Sequence, residues 1–371
     1  MRKIVLAYSG DLATSVAIAW LAAHQSAEVA TVTLDVGGAA SDEIRDRALA
    51  IGAARAHVID ARDEFANDFV LPSLQAGALD DDRSPMASAL ARPLIAKHLV
   101  AIARIEGTST IAHAGLPYGG REARITTAAR ALEPGVKVAD VTRIRDFTRA
   151  EMIEYAKQRG IPVPASAGVL RSTDANLWGR TSAGGVLDDL SMEAPEDLFS
   201  ATKPASETPD TPAYVELHFD RGVPTQINQV PMPLVELIQS LATIAGAHGV
   251  GRLEAIESSG DSARSRRIHE APAALALHVA HRELQRLVTS SDLDRLAASI
   301  AREYAGLIRD GGWYSTKRSA LDALVAHVQQ TVTGVIRLKL YKGRCEVVGR
   351  WAGNALAAGA RAVLETSGAV S

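Results

Sequence analysis

The residues best suited to chemistry stand at 7–15, Ala-Tyr-Ser-Gly-Asp-Leu-Ala-Thr-Ser. An apolar run precedes them and helical spacing follows, so the segment reads as a strand-to-helix turn. Gly10 lets the backbone approach a ligand, and Ser9, Thr14 and Ser15 supply hydroxyls. The first N–H groups of a helix have no intrahelical acceptor and carry partial positive charge, which makes such a turn an anion site. It is not a Walker loop, because no Gly-Lys-Ser/Thr follows. A plain helix cap would use the same residue types. Among ten histidines the nearest approach to a metal pair is His278 and His281, spaced i,i+3 on a predicted helix, with no third ligand close in sequence. The run Asp80-Asp81-Asp82 could meet Mg²⁺ but reads more simply as a solvated loop.

The elements that must position these residues alternate in the first third of the chain. Strands are predicted at 3–8, 28–36, 56–59, 110–113 and 136–139, with helices at 14–23, 41–51 and 87–105 between them. Thr148 with Glu151 forms a capping box, and Gly160, Pro162 and Pro164 close the helix it opens. This alternation predicts an α/β fold with a doubly wound parallel sheet. Its ligands should then meet the loops at the strands' carboxyl ends, 9–15, 35–40 and 114–124. Residues 166–212 are polar, with little periodicity; the stretch is expected to contain a linker and to wrap a surface. From 214 onward the pattern becomes α+β. Strands are expected at 214–219, 252–256 and 265–269, and helices at 234–247, 272–289, 291–309 and 318–332. A hairpin over 334–349 turns at Lys342-Gly343, and a last Ala-rich helix covers 354–365.

Bulk properties narrow the function class. The chain has 371 residues, 47% hydrophobic and 22% charged, with net charge −3. That balance gives no basic field for nucleic acid or an anionic membrane. The single cysteine, Cys345, excludes an internal disulfide framework and fits a reducing compartment. No apolar stretch approaches the ~20 residues that span a bilayer, and 1–10 does not read as a secretory signal. The expectation is a soluble, cytoplasmic protein.

The 7–15 loop resembles the pyrophosphate-binding loop of the N-type ATP pyrophosphatases, usually Ser-Gly-Gly-x-Asp-Thr/Ser-Ser. Five further blocks narrow the resemblance: ALARPLIAKHLVAIA at 89–103, ANLWGR at 175–180, GGVLDD at 184–189, HGVGR at 248–252 and RLKLYKG at 337–343. In this order and spacing, from about residue 2 to 350, they resemble the argininosuccinate synthase family. The resemblance implies a PP-loop ATP-pyrophosphatase domain over 1–165, an α+β synthetase domain over 166–350 and a C-terminal oligomerisation helix and tail over 351–371. It implies a homotetramer, with ATP and Mg²⁺ as cofactors and small-molecule amino-acid substrates. In the family's reaction ATP adenylates the ureido oxygen of citrulline, and the amine of aspartate then displaces AMP. The nucleotide contacts implied are Ala7, Tyr8, Ser9, Gly10, Asp11, Thr14, Ser15 and Ala114. The substrate contacts implied are Ser84, Gly120, Arg121, Arg124, Ser172, Thr181, Glu257 and His269.

Several of these residues depart from the family pattern. Asp11 stands where the second Gly of the phosphate loop is usual, and Ala13 where the Asp is. A carboxylate beside a triphosphate repels it unless a metal lies between. Either Asp11 has taken over as the Mg²⁺ ligand or the loop no longer binds ATP productively. Leu116, Gly120 and Arg121 stand where the family has Thr, Asn and Asp. Arg124, Ser172 and Glu257 match the citrulline contacts, Thr181 replaces Ser, and Ser84 and His269 each replace Tyr. The expectation is an argininosuccinate synthase-like ligase that couples its adenylated substrate to a nucleophile other than L-aspartate in the family pose. The alternatives are a non-catalytic descendant and a working argininosuccinate synthase.

Overall fold

The computed structural model describes residues 2–38, 42–114, 121–139, 141, 147–163, 172–259 and 263–353. Side chains at 42, 121, 122, 257–259, 263 and 264 lie outside that description. The first strand, β1 (Arg2–Ala7), is apolar through Ile4, Val5 and Leu6, all fully buried. A strand covered on both faces reads as a continuous apolar run. Side chains alternate across it, so Ile4 and Leu6 enter one core while Val5 enters another. Helix α1 (Leu12–Gln25) follows, then β2 (Ala27–Asp35), α2 (Asp42–Ile51) and β3 (Arg55–Asp60).

The chain next runs through α3 (Arg62–Phe65), a π-helical turn (Ala66–Val70) and α4 (Leu71–Gln75). Sequence reading assigns nothing here. Pro72 near the start of α4 has no N–H to give, and the ladder widens just before it. Helix α5 (Ala87–Ile105), β4 (Thr110–His113), α6 (Arg121–Leu132), β5 (Lys137–Val138) and α7 (Arg149–Gln158) complete this half. The Thr148–Glu151 capping box forms as predicted.

The strands make one parallel sheet in the order β3-β2-β1-β4-β5. The chain winds outward from β1 to β3 and returns to β4 on the other side of β1. The crevice where the order reverses lies beyond the paired ends Ala7 and His113.

The second half is antiparallel. A hairpin of β6 (Ser172–Asn176) and β7 (Gly179–Ala183), not foreseen by the sequence pattern, lies inside the polar stretch 166–212. Its polar sequence masks it, because one strand alternates half-buried with exposed positions. Next come β8 (Ala213–Asp220), β9 (Val223–Ile227), β10 (Val230–Pro231), α8 (Leu234–Ala247), β11 (Arg252–Ser259) and β12 (Ala263–Glu270). Helices α9 (Pro272–Val288), α10 (Ser291–Asp310) and α11 (Thr316–Gln329) precede the hairpin β13 (Gly334–Tyr341) and β14 (Arg344–Trp351). Two sheets result, β10-β9-β8-β13-β14 and β11-β12-β7-β6. Strands β9 and β10 are not foreseen by the sequence reading. The Ala-rich helix expected at 354–365 lies outside the described residues. No described helix is long and apolar enough to cross a membrane.

The 184–212 segment is held by a side chain rather than by a ladder. Glu270, 2% exposed, accepts from the backbone N–H groups of Ser200, Ala201 and Thr202 and from the Thr202 hydroxyl, at 2.9–3.1 Å. These hydrogen bonds satisfy a carboxylate that burial has cut off from water.

His278 and His281 are not a metal pair. Both are buried in α9, His278 against Trp178 and His281 against Phe219, with His281 Nε2 2.8 Å from Gln329 Oε1. Among the described residues no group of three or more His, Cys, Asp or Glu could hold a metal ion. Burial pushes the His278 pKa down to about 3, with the neighbouring His281 adding to it, and burial pushes His281 down to about 4. Both rings fold neutral, whereas the unfolded chain protonates them near 6.5. Stability should therefore be complete above pH ~6.5 and fall as pH drops toward 4, by roughly 1 kcal/mol per pH unit for each ring. Urea unfolding between pH 8 and 4 checks this. The His278→Phe, His281→Gln double variant should lose most of that slope.

Candidate active site

The 7–15 loop leaves β1 and stays tied to the sheet. Tyr8 N donates to Val32 O at 2.9 Å, and the Thr33 hydroxyl donates to Tyr8 O at 2.8 Å. Gly10 has φ +76°, a left-handed turn that favours glycine, and Arg47 Nη1 donates to its carbonyl at 3.2 Å. Asp11 has φ −76° and ψ 173°, so this position does not demand glycine. It is the N-cap of α1. Its Oδ1 accepts from Thr14 N and from the Thr14 hydroxyl, both at 2.7 Å, and its carbonyl accepts the first helical bond from Ser15 N. Leu12 and Ala13 sit at the first two helical positions, where no i−4 carbonyl within the helix awaits their N–H groups.

Of the expected hydroxyls, Ser9 Oγ lies 3.2 Å from Thr14 Oγ1. Ser15 is fully buried with Oγ 3.3 Å from Tyr8 Oη, so it is packed under the loop rather than presented by it. Burial, above all, raises the Tyr8 pKa, so its phenol stays protonated. Ala7 and Ala114 sit at the ends of β1 and β4, beside the crevice.

The second expected ligand loop, 35–40, is partly committed elsewhere. Leu177 N donates to Val36 O at 2.7 Å, and a Cβ on Gly37 would come within 2.8–2.9 Å of Leu177. This part of the loop is a docking seat for the β6–β7 turn.

A cavity of about 630 Å³ is lined on one side by β7, β11 and β12 and on the other by residues 80–89, the start of α6 and the end of α10. Ser84, Arg124, Thr181 and His269 all line it, although they come from four separate stretches of chain. Ser84 follows an acidic turn, with its N–H donating to Asp80 O at 2.9 Å. Arg124 lies in the first turn of α6, and its Nε donates to Arg309 O at the end of α10 at 2.5 Å. Thr181 and His269 are cross-strand neighbours, with Thr181 Oγ1 3.0 Å from His269 Nδ1. Burial, and then the charge of Arg267, push the His269 pKa down to about 4, so this ring is neutral at pH 7.

Pairing extends the same sheet face. Thr181 lies opposite Asp174, and Ser172 lies two residues before Asp174. Glu257 lies opposite Ser265, two positions from the Ala255–Arg267 pair. Side chains at i and i+2 share a face, so Ser172 and Glu257 hold register positions on the face of Thr181 and His269. The side chains of Glu257 and Arg121 and all of Leu116 and Gly120 lie outside the described residues. Sequence reading missed Arg267, Glu254 and Arg309 as cavity residues. Strand alternation, counted from His269, would have found Arg267.

Two sequence family models match the chain. The Arginosuccinate synthase N-terminal HUP domain matches residues 3–162, and the Arginosuccinate synthase C-terminal domain matches 171–369. The chain belongs to the argininosuccinate synthase family. It is 46% identical to the argininosuccinate synthase of Rubrobacter xylanophilus over 96% of this chain and 87% of that one. The argininosuccinate synthases of Symbiobacterium thermophilum and Streptococcus suis are 43% and 42% identical, over 94% and 96% of this chain and 88% and 89% of theirs. In the vocabulary of that family the fold is a HUP-type domain with a parallel sheet, joined to an antiparallel second domain.

The cap geometry yields a test. Asp11 spends one carboxylate oxygen on Thr14, the groups a phosphate would otherwise meet. Asn caps as well as Asp but carries no charge. Asp11→Asn should therefore keep the melting temperature within a degree or two and bind metal-free ATP several-fold tighter, with a smaller gain on adding Mg²⁺. Titration calorimetry with and without Mg²⁺ measures both. Equal ATP affinity in the two proteins, indifferent to Mg²⁺, would remove any role for the Asp11 charge.

Proposed function

We propose that the protein performs the reaction of its family, in which ATP activates the ureido oxygen of citrulline as an adenylate and the α-amine of aspartate then displaces AMP. The observation that carries this reading is one cavity that gathers Ser84, Arg124, Thr181 and His269, in a chain whose β1–α1 turn leaves helix N–H groups for an anion. The named relatives, 42–46% identical across nearly the whole chain, favour aspartate over a replacement nucleophile. The contrary reading rests on Leu116, Gly120 and Arg121, where two hydrogen-bonding residues are missing and a cation replaces an anion.

The proposed division of labour follows from the chemistry of each group. Arg124 suits the carboxylate of the amino acid and Glu257 its ammonium. Ser84, Ser172, Thr181 and neutral His269 offer polar contacts that orient the chain. Ser9, Gly10, Thr14 and the N–H groups of Leu12 and Ala13 face the phosphates, beside Ala7, Tyr8 and Ala114. Asp11 keeps one oxygen for Mg²⁺, which ordinarily takes one or two carboxylates together with substrate phosphates. These groups act by holding reactants in line and by stabilising charge on the phosphates, the two levers that adenylyl transfer offers a protein. The residues at 1–165 and 166–350 are assigned to the nucleotide and to the synthetase half, 351–371 to oligomerisation, and the assembly to a homotetramer.

The experiment is pyrophosphate release from ATP–Mg²⁺, with citrulline plus aspartate compared against citrulline with other amines. Release and argininosuccinate formation with the first pair is the expected result. Release only with another amine would show that the 114–124 loop has changed the nucleophile. No release with any pair would make this a non-catalytic member.

A further inference from the structure

The sheet wall of the cavity carries a guanidinium that the reading above leaves unused. Arg267 lies in the middle of β12, is 3% exposed and lines the cavity. Its cross-strand neighbours on either side are Ala255 and Ala183, short and uncharged. At this level of the sheet, arginine is therefore the residue with the reach and charge to address a ligand. Two residues on, His269 faces the same way and is neutral, and the charge of Arg267 is one of the causes. The opposite, helical wall supplies Arg124. The cavity thus presents guanidinium groups from two walls, and the one on the sheet is removed from solvent. A guanidinium binds a carboxylate through two parallel N–H···O bonds, and the attraction strengthens where water is excluded.

We infer that Arg267 is a carboxylate-binding, specificity-determining residue of the amino-acid cavity. This rests on the reading of that cavity as the amino-acid site. The carboxylate comes either from the activated amino acid or from the incoming amine, and kinetics separates the two.

The test uses the full-length protein and its Arg267→Gln and Arg267→Lys variants, with pyrophosphate release followed while citrulline and aspartate are varied in turn. Arg267→Gln should raise the KM of one amino acid tenfold or more, with kcat and the KM for ATP within twofold of the parent. Arg267→Lys should recover part of the loss. A shift in the citrulline KM assigns the carboxylate to the activated substrate, and a shift in the aspartate KM assigns it to the nucleophile. The corresponding amino-acid amide, which lacks that carboxylate charge, should respond equally poorly with parent and variant. Unchanged KM values, or a lower melting temperature with unchanged KM values, would overturn the assignment and leave Arg267 a structural residue. If neither protein releases pyrophosphate, the proposed reaction fails but the assignment is still decided by calorimetry with citrulline and aspartate. Binding that the variant loses supports it. Binding that the variant keeps, or no binding to the parent, overturns it.

Discussion

The hydrogen bond from Leu177 N to Val36 O joins the two halves of this protein at the carboxyl edge of the parallel sheet. It works because Gly37 has no side chain where the β6–β7 turn must sit. The same hairpin carries Asp174, which accepts from Ser88 at 2.6 Å and pairs with Arg92, both on α5. Asn176 Nδ2 donates to Ala87 O at the start of that helix at 2.7 Å. One hairpin is thus pinned to β2 and to α5 at once. Its second strand carries Thr181 and pairs with β12, which brings His269 beside it. The cavity is the space left between these fixed walls.

The charge pattern of the site follows from that arrangement. Asp11 places a carboxylate at the start of α1, where helix dipole and N–H groups stabilise it. In the cavity, burial keeps His269 neutral, so the positive charge of the described walls belongs to arginines. Arginine holds its proton at any physiological pH. The pocket's electrostatics should therefore change little across the neutral range, in contrast to the buried histidines of α9.

Much of the fold was legible because its strongest signals are local. The limits of α5, β4 and α8 follow from apolar periodicity bounded by Gly, and the Thr148 box announces its own helix. The β6–β7 hairpin was not legible, because its value lies in contacts with residues 82 to 141 positions away and not in its own apolar content. Ser84, Arg124, Thr181 and His269 were placed in one site by family resemblance, since nothing local links them. Arg267 was passed over because an arginine between Arg266 and Ile268 reads as one more surface charge until strand register gives it a face. Asp11 stands out in the sequence as a carboxylate in a loop suited to an anion, but its strain-free backbone and its role as a cap appear only in three dimensions.

The walls of the cavity come from near residues 84, 124, 181 and 267, so the pocket closes only when segments far apart in the chain have met. Contacts of such sequence separation are costly to form early, since loop-closure entropy must be overcome before they return any stabilisation. During synthesis the β1–α1 turn can take shape with the first strands to fold, whereas the cavity must wait for β12 to leave the ribosome. A nascent chain of this protein can therefore hold a formed β1–α1 turn while its cavity is still open.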